Sequence, residues 1–298
     1  MDEPFYLEIF RKGRNRNMAI VVPELFSDAT NAAMNHHIRI GKVAFDATEL
    51  VPDIRTCGDK IHFPTIDRVA TGTTMTKGTA LVPAELSMTD NEAEIKQTGS
   101  AVRIYDKDAI QVKGAVVDQL AIQVGEAMAD AIDKDLVKEM DDNAVYKVAT
   151  ASGTEVAYEE IEAGFDVFGD DVDVQSYAGI IINSRLRKSF MAMPQFTKID
   201  YTFAKVGNGV GDAEGIIGYW NGIIPVIVCD NDTYDTVKSE CKTYIVKKKA
   251  LGIIKQKDAT TEEERESLKK ATLLSADELY AVKLLNAKGV CILRKTIA

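Results

Sequence analysis

The residues of this chain whose types suggest chemistry do not fall at the spacings that chemistry requires. Gly207-Asn208-Gly209-Val210-Gly211-Asp212-Ala213-Glu214-Gly215 is dense enough in glycine to cradle a phosphate, but it has neither GxGxxG order nor a GK[ST] ending. It reads as a loop. Ser267-Leu268-Lys269-Lys270 has the SxxK spacing of a nucleophile and its lysine, yet the partner SDN and KTG motifs are missing. Asp230, Asp232 and Asp235, and separately Asp170, Asp171 and Asp173, offer hard oxygen ligands to a calcium ion, but neither run has the glycine and terminal glutamate of a calcium loop. Both read as solvated turns. His36-His37 is too close a pair to define a metal site, and His62 is the remaining histidine. There is no GxSxG. The expectation is a protein without catalytic, cofactor-binding or metal-binding residues, and without a cofactor.

Composition narrows the class. The 298 residues suffice for one large or two ordinary domains with a real core, and 46% hydrophobic with 28% charged is a globular balance. A net charge of −10 argues against a nucleic-acid-binding domain, which needs a basic face, though not against a container whose lining must not adhere to its contents. Cys57, Cys229, Cys241 and Cys291 form no CxxC pair and read as free thiols of a reducing cytoplasm. The acidic start MDEPFYLEIF has no apolar run of signal-peptide length, and no stretch reaches the ~18 apolar residues of a membrane span, so synthesis and folding are expected in the cytoplasm.

The element around which the rest is organised is Asp106 to Asn143, which contains no proline. Val117, Leu120, Ala121, Val124, Met128, Ala131, Ile132, Leu136 and Met140 recur at helical spacing; Asp118, Gln119, Glu126, Asp130, Asp133, Lys134 and Lys138 lie opposite. Asp106 and Asp108 suit a helix start and Asn143 a stop. A helix over most of this span would run roughly 50 Å at ~1.5 Å per residue, long for a compact domain of this size.

Before it, residues 1 to about 35 do not look self-sufficient. Arg11, Lys12, Arg14 and Arg16 precede an apolar run, Ala19 to Phe26, which reads either as a surface segment or as an arm docked on a neighbour. Lys60-Ile61-His62-Phe63-Pro64-Thr65-Ile66 alternates as a strand, as do Leu86 to Thr89 and Ala93 to Ile95, around a Thr/Gly-rich stretch from Asp67 to Pro83. This describes a long hairpin needing something to lie on, for which a neighbouring subunit is the natural candidate.

After the helix, Glu155 to Phe168 predicts a short amphipathic helix ending at Gly169. Tyr177 to Asn183 predicts a buried strand, with Ser184 capping a helix that runs up to Pro194. Asn221-Gly222 is a hairpin signal between Ile216–Trp220 and Ile223–Val228. Thr243–Val246, Ala250–Ile254, Tyr280–Leu285 and Val290–Leu293 are strand-like. Thr261 and Glu264 have capping-box spacing, but 260–270 has almost no apolar face.

This order of parts, with GDKIHFPTI, DKDAIQVKGAVVDQLAIQVGEAMADAIDKDLVKEM, IIINSRLRKSF, NGIIPVIVCD, ALGII and ADELYAVKLLNAKGVCIL, resembles the major capsid proteins of tailed bacteriophages over nearly the whole length. The resemblance implies an α+β, Hong Kong 97-type capsid fold: an N-terminal arm at 1–41, an extended E-loop hairpin at 42–100, a peripheral domain with its spine helix at 101–150, an axial domain at 151–240, and C-terminal strands of the peripheral domain at 241–298. It implies that 260–270 is extended. It also implies pentamers and hexamers closing into an icosahedral shell around double-stranded DNA without sequence-specific contacts, with scaffold, portal and decoration proteins as further partners, no membrane, and the virion as destination. Arg11 to Arg16 would then touch DNA, scaffold or an adjacent subunit. An encapsulin-like compartment shares the architecture, and a soluble enzyme is the third reading.

Overall fold

The computed structural model describes residues 23–48, 60–66, 88–107, 116–169, 176–197 and 215–297. Its helices are α1 (Pro23–His37), α2 (Val116–Asn143), α3 (Tyr158–Asp166), α4 (Arg187–Ala192) and α5 (Pro194–Thr197). The strands are β1 (Phe45–Asp46), β2 (Lys60–Ile66), β3 (Met88–Glu94), β4 (Lys96–Tyr105), β5 (Tyr146–Ala149), β6 (Tyr177–Ile182), β7 (Ile216–Trp220), β8 (Ile224–Val228), β9 (Tyr234–Asp235), β10 (Glu240–Cys241), β11 (Thr243–Lys247), β12 (Leu251–Glu266), β13 (Ala271–Leu284) and β14 (Val290–Arg294). They form a four-stranded sheet, β1-β12-β13-β4, a six-stranded sheet, β5-β14-β11-β6-β8-β7, and two-stranded ribbons β2-β3 and β9-β10.

Helix α2, about 42 Å long at ~1.5 Å per residue, is wedged between the two larger sheets. Val124, Met128, Ile132, Leu136 and Met140 share one core with Ile181, Ile227, Tyr244, Val246 and Ile292 of the six-stranded sheet and with Tyr280, Val282 and Leu284 of β13. Each such fully buried side chain contributes on the order of 1.5–3 kcal/mol. The apolar stripe is as the spacing predicted, but it is wider, because Ala129 and Val137 are buried as well. Asp133, expected on the wet face, lies between those two on the helix surface and is buried. Asp106 and Lys107 are helical at the expected start, and Asp106 also takes both guanidinium nitrogens of Arg265 at 2.6 Å; residues 108–115, between there and α2, lie outside the described residues.

The six-stranded sheet is covered on its other face by a second core of Ile161, Phe165, Phe190, Trp220, Val226 and Leu293. Burial on both faces is why YAGIII is continuously apolar rather than alternating. Asn221 and Gly222 have φ of 49° and 72°, the paired left-handed conformations of a tight hairpin between β7 and β8. The cap before α4 sits one residue earlier than expected. Asn183, not Ser184, accepts from the Arg185 N–H, while the Ser184 N–H donates to Asp230. Residues 260–266 are extended, paired in register from Thr260↔Asp277 to Glu266↔Ala271, so the Thr261–Glu264 capping spacing goes unused. The boundaries expected at 150 and 240 fall across the six-stranded sheet, which draws β5, β11 and β14 together with β6, β7 and β8.

Two segments expected to lean on a neighbour have intrachain anchors. The β2-β3 hairpin pairs from Lys60↔Glu94 to Ile66↔Met88 as predicted, but its base packs Ile61 and Ala93 on Ala47, Ile254 and Ala281. The surface it needs comes from strands later in the chain; its tip, 67–87, lies outside the described residues. Helix α1 presents Phe26, Ala29, Thr30, Ala33 and Met34 to its own chain, chiefly α2. Gly125 permits that approach, since a Cβ there would stand 2.6 Å from the Thr30 carbonyl oxygen. On an exposed helix Gly→Ala stabilises by roughly 0.5–1 kcal/mol. Here Gly125→Ala is expected to destabilise by about 1–3 kcal/mol, read as a lower urea midpoint, and a raised midpoint would contradict the close packing.

Candidate functional site

The polar groups that do work in this molecule are the acids of α2, and what they bind is backbone and lysine rather than substrate. Asp133 accepts the N–H groups of Arg39 (3.0 Å), Ile40 (3.1 Å) and Gly41 (3.1 Å), clamping the turn that follows α1. Burial pushes its pKa up, and the three backbone donors oppose that shift. One turn earlier Asp130 receives Asn231 Nδ2 at 2.8 Å and faces His37 Nε2 at 3.3 Å. Asp135 holds Lys96 at 2.9 Å and the Tyr280 hydroxyl at 2.9 Å, tying α2 to β4 and β13. Glu139 accepts the Leu284 N–H and pairs with Lys283, both at 3.2 Å. Asp141 receives Lys242 Nζ at 2.5 Å and the Tyr244 hydroxyl at 2.8 Å. Burial and the Asp141 charge hold the Tyr244 phenol well above its ordinary pKa.

A second clasp closes the end of the six-stranded sheet. Arg294 donates to Glu240 from Nε (2.8 Å) and to Asp235 from Nη2 (3.1 Å), while the Thr296 N–H donates to Glu240. The Lys238 N–H, with those of Val237 and Arg294, holds Asp235 below its ordinary 3.8. Burial works to raise Glu240, but Arg294 and Thr296 outweigh it and keep it below 4.5.

Among the described residues, those weighed for chemistry are not brought together. Asp230 holds the Ser184 N–H, Asp235 holds Arg294, and no group of three His, Cys, Asp or Glu placed for a metal ion occurs among the described residues. Asp170, Asp171, Asp173, Cys57, Arg11 to Arg16 and the glycine run through Glu214 lie outside the described residues. His37 faces Asp130, whereas His62 is exposed on β2. Ser267 and Lys270 sit in the exposed β12–β13 turn. Cys229 and Cys291 are pushed up by burial to about 12, leaving negligible thiolate at neutral pH. A cleft of about 400 Å³ runs between residues 151–160 and 188–192, but its Glu160 carboxylate is occupied by the Ala151 and Ala157 N–H groups at 2.6 and 2.8 Å.

Strand β12 ends exposed: along a strand every second residue should be covered, yet Glu262, Glu263, Glu264 and Arg265 are all exposed, while the paired β13 stays buried at Ala271 and Leu274. Leu268 in the β12–β13 turn is 101% exposed, and Val237 in the β9–β10 turn 92%. Single exposed apolar side chains are ordinary, but these cap exposed turns. Sequence reasoning missed the Asp133 clamp, whose signal was its place between Ala129 and Val137, and the Arg294 clasp, which had none because Arg294 is 54 and 59 residues from Glu240 and Asp235.

A family model described as phage capsid protein matches residues 89–293, from β3 to β14 and so through α2 and both larger sheets. The chain belongs to the phage capsid protein family. Among solved structures, the capsid protein's fold is similar to that of Mycobacterium phage Che8 (TM-score 0.64, 16% identity, 87% of this chain and 91% of that one). It is also similar to the capsid of Cyanophage P-SCSP1u (0.63, 14%, 87% and 88%). A virus-like particle from Pyrococcus furiosus shares the fold as well (0.59, 13%, 92% and 100%). At such identities the likeness is one of fold, and it is the expected Hong Kong 97-type α+β architecture. No curated protein matches the sequence. The capsid protein is a structural component of the virion, and its α2 acids and Arg294 clasp position surfaces.

Two outcomes check the clamps. Asp133→Ala leaves one buried and two partly buried N–H groups without their acceptor and is expected to cost about 1–3 kcal/mol, measured by urea denaturation. Because Asp235 and Glu240 are lowered in the fold, their contribution is fully present above 3.8 and 4.5 and is lost as pH falls below those values. The stability gap between wild type and Arg294→Met should therefore be wide at pH 7 and narrow below about pH 4; a gap constant with pH would remove the charge pairing as its cause.

Proposed function

We propose that this capsid protein assembles as pentamers and hexamers into an icosahedral shell that encloses double-stranded DNA without sequence-specific contacts. The observation that carries the reading is the family match across 89–293, joined to an exposed β12 end and β12–β13 turn. The α2 core with the four-stranded sheet would be the peripheral unit, and the six-stranded sheet with the glycine-rich 207–215 segment the axial one. An acidic balance of −10 keeps packaged DNA from adhering. The role is structural and not catalytic. Synthesis would take place in the host cytoplasm, with scaffold, portal and decoration proteins as partners. The E-loop tip and hairpin tips bury area on assembly, which couples their ordering to shell closure.

The Pyrococcus furiosus virus-like particle keeps a compartment shell as the second reading. Negative-stain microscopy of the expressed chain should show closed particles with pentameric and hexameric units, and particles recovered from their natural source should contain a genome rather than a cargo enzyme. Leu268→Asp is expected to cut particle yield at least about tenfold, while the subunit's own stability changes by no more than ~0.5 kcal/mol, as for an exposed site. A monomer that never assembles would end the proposal.

A further inference from the structure

Glu278 is a buried acid that takes no part in the α2 clamps or the Arg294 clasp. Along β13 it alternates with Leu274, Ala276 and Tyr280, which face α1 and α2, and it is 0% exposed. Among the described residues neither of its carboxylate oxygens has a hydrogen-bond partner, and the Lys255 Nζ stands 3.5 Å from Oε1 with a side chain that is itself partly in water. The strand opposite is irregular. Lys257 pairs with Leu279 and Thr260 with Asp277, so Asp258 and Ala259 together face Glu278 in a β-bulge. The Ala259 carbonyl of this bulge accepts from Ser27 Oγ at 2.8 Å and Asn31 Nδ2 at 3.0 Å. Helix α1 is therefore fastened at the bulge that faces Glu278, and lies among what keeps water from it.

A covered carboxylate without donors favours its neutral form. Burial raises Glu278 above its ordinary 4.5, Lys255 opposes the rise and Asp258 adds to it. The other titratable groups on this side are the Tyr280 hydroxyl, engaged by Asp135 of α2 and Thr98 of β4, and Lys96, which pairs with Asp135. Asp277 pairs with Lys257, and the α1 side chains at the bulge are the uncharged Ser27 and Asn31. A group raised in the fold contributes stability that is fully present below its unfolded value and lost as pH rises through the folded one. Once ionised, Glu278 regains water only when its cover lifts.

We propose that Glu278, opposite the Asp258–Ala259 bulge, is a proton-operated latch on helix α1. With the acid protonated, α1 lies closed on β12; with the acid ionised, α1 lifts more readily from the bulge and water reaches the carboxylate. Lys255 sets how strongly the latch responds. The device belongs to the single subunit and does not rest on shell formation.

Hydrogen exchange of the unassembled full chain, compared as protection factors at about pH 5 and about pH 8, tests the latch; Asp235 and Glu240 stay ionised across that range. Peptides covering 26–34 should lose at least about tenfold in protection from the lower pH to the higher. Glu278→Gln should remove that dependence and hold these peptides at the protected level. Lys255→Met, which takes away the opposing cation, should deepen the loss, and should do nothing when combined with Glu278→Gln. Protection of Val124–Met140 is the folding control; should Glu278→Gln fail it, Lys255→Met decides alone, a deeper loss supporting the latch and an unchanged one overturning it. Equal protection of 26–34 at both pH values in the wild type overturns the proposal, as does a Glu278→Gln variant loosened at both. A pH dependence that survives Glu278→Gln belongs to other groups, His37 with Asp130 among them, and overturns it as well.

Discussion

Everything in this subunit depends on burying one acidic helix between two sheets. Helix α2 carries enough Ile, Leu and Met to be enclosed, but its last four turns also carry Asp130, Asp133, Asp135, Glu139 and Asp141. Taking a carboxylate out of water costs several kcal/mol unless it is bonded. Each of these is therefore met by a donor from a different part of the chain: the turn after α1, β4, β13, the 231 loop and β11. The result is that hydrophobic burial supplies the attraction and the acids supply the register. Sliding the helix by one turn would keep much of the apolar contact but strand most of the carboxylates.

That arrangement also determines what the subunit cannot cover. Helix α1 and the start of α2 cover Leu274 of β13, but the end of β12 beside it is left at the surface. Strand β12 accordingly changes from buried residues at Leu251–Ile254 to fully wetted ones at Glu262–Arg265 within one continuous element. The charges there keep the exposed end soluble, with Leu268 exposed at its tip.

The low identity to other capsids of the same fold follows from the same physics. A core of this kind asks for apolar side chains of suitable volume at helical or strand period, not for particular ones. Sixteen per cent identity with TM-score 0.64 is what that tolerance allows.

Much of this was legible in the sequence. Periodicity marked α2, the β2 and β3 strands and the buried β6 strand, and residue type marked the Asn221-Gly222 turn, because each depends on neighbours within a few residues. Tertiary structure decided the rest. Asp133 reads as a wet residue until α1 is laid across it, and Thr261 and Glu264 read as a helix cap until β13 pairs with them. Which sheet β11 and β14 join, and the meeting of Arg294 with Glu240 and Asp235, rest on contacts between residues distant in the chain, such as Thr243 with Leu293, for which a period in sequence carries no information.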